Sequence, residues 1–525
     1  MSLWQWLLEI IVVILIAAAV YVRNNREILF LSWQLPGSPA WPLFGNAFAF
    51  LCKDEDVFER LVSFISAYSS PMRLWFGPKF WMIITDVVQA EKVMSSMKFT
   101  TKDKHIYKSM AVFLGEGLIS GSGPKWKRDR RLMSPLFLKR NVVQYFPYIL
   151  HHMKILVKLL EEKVDQPTFN IEHLVHRCAT DFVSETMFGL KTNAQGGEME
   201  NVLESFKRVY TVVYARVVKV WLQVEWIFRF TKYKKLEEDA KSVVHGFFYQ
   251  AIEISKGTDV CTSKNDQSFR NVLEQILDIR NGTPDFATDE ELVHHLGTLY
   301  AAVCSSSLFF EIILIGFYGF QSEDPVTTIS SFALVLLGMY PNIQDEVVEE
   351  IFSVVGDRDV EEADMANLAY LDMVLNEVLR LFPIAPFIAR EASQDFQLHK
   401  WTIPKGCTVV VSIHNIHRDG AHWEKPNEFY PEHFLPEAVS KRHPYAFIPF
   451  SAGPRGCVGA NKRVLVGKPY AYMAIKIILV TVLQRYAIEA DGKLKDIPLK
   501  SDISVRPKDG IYPIRIKDRV KEMGK

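Results

Sequence analysis

The stretch Pro449-Phe450-Ser451-Ala452-Gly453-Pro454-Arg455-Gly456-Cys457-Val458-Gly459 is the part of the sequence best equipped for chemistry. A cysteine that ligates a soft metal must carry an ionised sulfur shielded from water and oxidants. Gly453, Gly456 and Gly459 let the backbone fold closely about the Cys457 sulfur and aim N–H groups at it, and such donors tune a thiolate-bound metal. Arg455, just before the cysteine, is placed to bond a carboxylate of a bound group, and Phe450 to cover the flank of the sulfur. The plain alternative is a glycine-rich turn around a buried cysteine. Such a turn does not require the joint pattern Phe-x-x-Gly-x-Arg-x-Cys-x-Gly, which fixes five positions.

The elements that must position this loop are mostly helices. Apolar residues recur with helical period through roughly 55–70, 86–97, 125–160, 171–189, 198–218, 232–255, 269–280, 289–302, 326–355 and 368–381. Short β-branched stretches occur at Met82-Ile83-Ile84-Thr85 and at Thr408-Val409-Val410-Val411-Ser412, the second after the turn signal Ile403-Pro404-Lys405-Gly406. This predicts one large domain, mainly α with a small β portion. A chain of 525 residues, 49% hydrophobic and 23% charged, has the composition of a folded protein with a sizeable core. Lys plus Arg and Asp plus Glu balance at 61 each, so no basic field argues for nucleic acid as a partner. The six cysteines form no CxxC pair and no regular framework, which points to a reducing compartment.

With the Cys457 loop in place, the chain resembles a cytochrome P-450, a haem-thiolate monooxygenase, over nearly everything after residue 30, with motifs in the family's order. Glu377-Val378-Leu379-Arg380 matches the Glu-x-x-Arg helix motif, whose spacing puts both side chains on one face, where the pair locks that helix against the segment beneath the haem. Trp126-Lys127-Arg128-Asp129-Arg130 matches the Trp-x-x-x-Arg helix, so Trp126 and Arg130 are expected at a haem propionate. Arg390 stands where the family often places another propionate-binding arginine. Phe429-Tyr430-Pro431-Glu432-His433-Phe434 resembles the meander motif with His433 in the customary arginine position. A histidine lacks the guanidinium fork, so the usual Glu-Arg-Arg network should be weaker here, and His433 is read as a network or surface histidine rather than a metal ligand.

The resemblance implies haem b held by the Cys457 thiolate, with Arg455, Phe450, Gly453 and Gly459 around it, and insertion of one atom of O2 into a small lipophilic substrate. No FAD or nicotinamide fingerprint occurs, so electrons are expected from a separate NADPH-dependent reductase, with cytochrome b5 as a further donor. His417-Arg418-Asp419 and His443-Pro444-Tyr445-Ala446-Phe447-Ile448-Pro449 resemble the clan of fatty-acid ω-hydroxylases and insect microsomal enzymes. Ala302 occupies the slot where members of that clan often carry a haem-esterifying glutamate, so the haem is expected to be non-covalent apart from its axial ligand.

Two places depart from the family pattern. The helix that should cross above the iron normally carries an Ala/Gly-Gly-x-Asp/Glu-Thr-Thr run. There the helix bulges, and an acid and an alcohol deliver protons. Counting forward from Asp289-Glu290-Glu291 lands that run on Val303-Cys304-Ser305-Ser306-Ser307; counting backward from Tyr340-Pro341 lands it on Ser322-Glu323-Asp324-Pro325-Val326. The surplus, 303–319, includes the apolar run Leu308–Tyr318. It reads as translated intron, since Val-Cys is a dipeptide that a GTATGT-like splice donor encodes; a genuine insertion is the alternative. Pro325 falls where the oxygen-side threonine usually sits and has no hydroxyl, so Asp324, Glu323, Thr327 or Thr328 must substitute. The second departure is 460–467, an extra segment between Cys457 and the helix expected to follow it, with Pro469 suited to that helix's first turn. Because of Pro325, a haem-thiolate hydroperoxide isomerase or dehydratase is a rival reading, and a catalytically impaired haem-binding protein is another.

From Leu3 to Val22 the sequence is almost wholly apolar, and twenty helical residues span roughly 30 Å, the hydrocarbon thickness of a bilayer. Arg23 and Arg26 follow, and no positive cluster precedes the run. This predicts a signal anchor over 1–22 in the endoplasmic reticulum membrane, with the rest of the chain cytoplasmic. A cleaved signal peptide fits less well, because the run is long and bulky Tyr21-Val22-Arg23 closes it. Residues 23–46 read as a Pro/Gly-rich linker, and 47–525 as the catalytic domain.

Overall fold

The computed structural model describes residues 3–41, 44–103, 107, 111–113, 115–137, 139–218, 222, 224–257, 269–283, 286–303, 325–456, 467–501 and 505–519. Cys457, Gly459, Asp324 and most of both extra segments lie outside them. The periodic apolar stretches become helices near their expected bounds, among them Val57–Ser66, Val87–Ser95, Glu172–Phe188, Glu200–Val218, Lys232–Gly257, Val272–Gly282, Asp289–Val303 and Ala369–Leu381. Local chemistry marks their starts: the Asp86 carboxylate accepts from the Gln89 N–H, and Asn271 with Glu274 forms a reciprocal capping box.

Proline divides two stretches whose periodicity runs on unbroken. The first becomes Gly123–Met133 and Phe146–Glu161, with Pro135 between them and Pro147 in the opening turn of the second helix. The other becomes Pro325–Met339 and Pro341–Val354, bent by 113° at Tyr340-Pro341. A proline supplies no N–H to the ladder and pushes the preceding residue out of helical geometry, so the apolar pattern continues while the axis turns.

A four-stranded sheet of β1 (Met72–Phe76), β2 (Lys79–Ile84), β3 (Phe387–Glu391) and β4 (Thr408–Ser412) has the order β1-β2-β4-β3. β2 and β4 run parallel, Met82 opposite Val409, and the other pairs are antiparallel. Alternation along β2 divides the core: Trp81 and Ile83 join a large cluster with the helices, while Phe80, Met82 and Ile84 join a smaller one with Leu31, Val409, Val411 and Ile448.

The N-terminal run lies in a 22-residue helix, Leu3–Asn24. Taken over the described residues, no single helix is long and apolar enough to cross a membrane. The stretch read as a linker is helical in its first part: Arg26–Gln34 docks on the sheet, with Leu31 buried and the Ser32 hydroxyl accepting from the Trp75 indole N–H at 2.8 Å. Only the Pro/Gly portion that follows is extended, and there Arg73 N–H donates to Pro36 O at 2.8 Å. The composition of 23–46 does not reveal this docking partner.

Candidate functional site

Approaching Cys457, the chain makes a tight turn. Ser451 has φ 61° and Gly453 φ 70°. A side chain at Gly453 would place its Cβ 1.9 Å from the Met94 carbonyl oxygen, so only glycine allows the loop to press on the helix Val87–Ser95. Phe450, on the same approach, packs 5.9 Å from the Tyr472 ring, and Tyr472 Oη donates to Asn376 Oδ1 at 2.6 Å. The Phe450 ring thus bridges the loop to the helix Gly467–Arg485, which starts at the last residue of the extra segment and holds Pro469 in its first turn.

Four cations, three of them buried and Arg130 half-buried, converge beside this loop. Arg455 stacks on the Trp126 indole, 3.8 Å from the ring centroid, and donates through Nη2 to the Gly121 carbonyl. Arg130, on the same helix as Trp126, lies 5.4 Å over that ring and donates through Nη2 to the Gly456 carbonyl at 2.7 Å. Arg390, at the end of β3, is buried and reaches Ser451 Oγ at 3.3 Å. Lys102 is buried as well, its Nζ 3.3 Å from Tyr107 Oη. Burial, then repulsion from Arg390 and Arg130, lowers the Arg455 guanidinium to about 9. Burial and the three arginines push the Lys102 ammonium well below its ordinary value.

Arg455 Nε and Nη1 are buried and find no hydrogen-bond partner among the described residues. Buried donors of a charged group left in that state are costly, and like charges brought together add to the cost. A bound dianion whose oxygens meet these N–H groups removes both penalties, which is the fit that the two propionates of a haem require. Trp126 lies beside both arginines of the cluster. Its indole N–H is engaged by the Leu118 carbonyl at 2.9 Å, so the ring serves as the platform for Arg455 and Arg130. Lys102 and Tyr107 were not singled out from sequence, since a lone lysine in Thr101-Lys102-Asp103 carries no pattern.

Beneath the loop, Glu377 and Arg380 are both fully buried. Arg380 uses its whole guanidinium: Nε and Nη2 donate to Glu377 at 2.8 and 2.7 Å, Nη1 to the His417 and Pro426 carbonyls at 2.9 and 2.7 Å, and Nη2 to the Glu428 carbonyl at 2.9 Å. Burial alone would raise the Glu377 carboxyl, but the bonds from Arg380 and His433 outweigh it and hold it below its ordinary value. His433 occupies the meander position as a buried network residue, with Nδ1 3.2 Å from Glu377 Oε1 while Nε2 accepts from the Lys425 N–H at 3.3 Å. With Nε2 accepting, Nδ1 is the nitrogen that donates toward the Glu377 carboxylate, 3.2 and 3.3 Å from its two oxygens.

Pro325, expected on the oxygen side, opens the helix Pro325–Met339, at a position where a missing N–H breaks no ladder bond. Thr327 and Thr328 follow, fully buried, their hydroxyls without partners among the described residues. The helix Asp289–Val303 is tied to the Trp126 helix by Lys125 with Glu291, and by Asp129 Oδ2 3.6 Å from His295 Nε2.

A family model described as Cytochrome P450 matches residues 35–308 and 320–514. The chain belongs to the cytochrome P450 family. It is 29% identical over 504 residues to "Cytochrome P450 4c3" of Drosophila melanogaster, which covers 95% of this chain and 92% of that one. It is 28% identical over 497 residues to "Cytochrome P450 4V2" of Homo sapiens, covering 91% and 89%, and 28% identical over 522 residues to "Cytochrome P450 4c21" of Blattella germanica, covering 97% and 98%. These names fall in the clan to which His417-Arg418-Asp419 pointed. The protein is thus a P450 monooxygenase, and the family carries its haem on a cysteine thiolate. The family match leaves out residues 309–319.

Proposed function

We propose that this P450 hydroxylates a lipophilic substrate (fatty acid, terpenoid, steroid or xenobiotic) with one atom of O2, on a haem b bound to Cys457 and otherwise non-covalent. Arg455 carries this reading: a buried guanidinium with two N–H groups lacking described partners, in a cation cluster immediately before the cysteine. Arg130, Arg390, Arg455 and Lys102 hold the two propionates, and Trp126 orients the arginines. Phe450 and Tyr472 exclude water from the flank of the sulfur. Gly453 and Gly459 let the backbone close around it. Glu377 and Arg380 fix the segment below. The bound haem supplies the oxygen chemistry, and the chain supplies orientation and protons. Thr327 Oγ1 and Thr328 Oγ1, with the Asp324 carboxyl, pass protons to the oxygen side in place of the hydroxyl that Pro325 lacks.

Electrons come from a separate NADPH-dependent reductase, with cytochrome b5 as a second donor. The protein sits on the endoplasmic reticulum membrane by residues 1–22, its catalytic domain cytoplasmic. The apolar run Leu3–Val22, the arginines after it, and the 70% and 85% exposure of Phe30 and Trp33 support that placement.

A reduced-plus-CO spectrum is the first test: the band for which the family is named requires thiolate ligation, and its absence from the full-length protein defeats the site assignment. Reductase-driven, NADPH-dependent turnover then separates hydroxylation from hydroperoxide isomerisation, which needs no electrons. Deleting residues 1–22 is expected to release the protein from membranes with that band intact, and a truncated protein that still floats with vesicles contradicts the anchor.

A further inference from the structure

Among the described residues, His417 is a buried histidine whose two ring nitrogens both bind backbone, one on helix Ala369–Leu381 and the other at the entrance to the Cys457 loop. Its Nδ1 lies 3.2 Å from the Arg380 carbonyl oxygen, and the Ile448 N–H points at its Nε2 from 2.9 Å. A carbonyl only accepts and a backbone N–H only donates, so these partners fix the ring as neutral, with its proton on Nδ1. The His417 carbonyl in turn accepts from Arg380 Nη1, and its own N–H caps the short helix Ile413–Ile416 through the Ile413 carbonyl at 2.8 Å. The ring is fully buried and packs 5.4 Å from Phe447.

Ile448 begins the stretch that turns through Ser451 and Gly453 into Arg455: its carbonyl accepts from the Ser451 N–H at 2.9 Å, closing the first turn. Its N–H has no strand neighbour to use instead, because it lies outside every strand of the main sheet. Helix Ala369–Leu381 is anchored by the Glu377 clamp, so a rigid element is joined through one imidazole to the loop entrance.

We propose that His417 is a positioning residue that sets the register of the thiolate loop by accepting the Ile448 N–H while bound to the Arg380 carbonyl. This rests on the assignment of Cys457 as haem ligand. His417 touches neither substrate nor haem; it acts through the backbone. Protonation of Nε2 would set an N–H against the Ile448 N–H and break the link. Burial first, and then Arg380, Arg418 and Arg442, hold the ring well below the ordinary histidine value, so the acceptor persists in mildly acidic solution.

Three full-length holoenzyme variants test the assignment. His417→Gln reaches the Nε2 position with an amide oxygen and keeps an acceptor for Ile448. His417→Asn keeps only a group near Nδ1, and His417→Phe keeps only the ring. The ferrous–CO thiolate band should decay to the form lacking thiolate about tenfold faster or more in Asn and Phe, and near the native rate in Gln, because only the first two leave a buried N–H unsatisfied. Hydrogen exchange at the Ile448 amide, read on the haem-free protein, should rise in Asn and Phe alone. If Phe does not fold, the Asn and Gln pair decides. Native-like behaviour of Asn, or loss in Gln equal to that in Asn, overturns the proposal. A wild-type protein without the thiolate band instead defeats the ligand assignment, a different failure.

Discussion

The Arg455 guanidinium lies 3.8 Å over the Trp126 ring while the indole N–H is bonded to the Leu118 carbonyl. The tryptophan therefore orients the cation through its face and holds the preceding Leu118 turn through its edge. Two functions usually sought in separate residues meet in one side chain, and Arg455 is held within electrostatic reach of Arg130, Arg390 and Lys102.

Replacing Arg455 with leucine should have opposite effects on the haem-loaded and haem-free protein. With haem bound, charge-assisted bonds disappear and haem retention should fall by about 10- to 100-fold. Without haem, one buried like charge leaves the cluster, and the urea midpoint should rise. Transfer of haem to an apo-globin measures the first effect and denaturant unfolding of the apo-protein the second. A loss of stability in both forms would show that Arg455 is a packing residue.

The Glu377–Arg380 pair predicts a defined acid response. Arg380→Met leaves a buried carboxylate unpaired and should cost roughly 3–5 kcal/mol. Glu377 titrates below its ordinary value when folded, so its stabilisation is complete above the unfolded carboxylate range, about 4.3. That stabilisation is lost as pH falls through the lower folded value. Unfolding of wild type and Glu377→Gln across pH 7 to 3 should show the widest gap near neutrality and convergence at the acid end. A gap that stays constant with pH would mean that the carboxylate is not what the clamp uses.

Sequence made some of this legible and hid the rest for identifiable reasons. The Glu377 to Arg380 spacing predicted a shared helix face, but the closure of all Arg380 donors depends on carbonyls at 417, 426 and 428, distant in the chain and without side-chain identity. Lys102 was illegible because its meaning lies in the three arginines around it, which three other segments bring to it. The motif position left His433 as a network or surface histidine, and its contacts with Glu377 settle on the network; which ring nitrogen donates follows from the Lys425 N–H, which no motif marks. The bends at Pro135 and Pro341 were written in the sequence, and periodicity alone read through them. The docked helix Arg26–Gln34 shows the converse, since a short polar-flanked stretch becomes helical only because Ser32 and Leu31 find the sheet.

Thr327 and Thr328 should separate oxygen-side proton delivery from haem binding. Each hydroxyl is buried and lacks a described partner, so valine, of similar shape, removes the proton donor with little change in packing. For the threonine that serves as donor, reductase-driven product formation should drop by about 100-fold, with NADPH use diverted to peroxide, while the ferrous–CO band stays unchanged. If both valine variants and the double variant retain coupled turnover, proton delivery belongs to Asp324 or to another route, and Asp324→Asn becomes the deciding variant.

The break in the family match at 309–319 falls inside the segment that the two counting registers leave over. The Val303-Cys304 splice-donor reading expects a mature message that joins the codon for Ala302 to that for Gly319, giving Tyr300-Ala301-Ala302-Gly319-Phe320, whereas the family match runs on to residue 308. Sequencing the transcript across this region checks it directly. Expression of both forms adds a physical readout: the shorter chain should incorporate haem to a higher fraction and unfold more cooperatively, because it lacks an apolar stretch containing Glu311 that falls outside the family match. A message that retains the codons for Leu308–Tyr318, with full haem loading of the long chain, would make the segment a genuine insertion and direct attention to what it adds to the pocket.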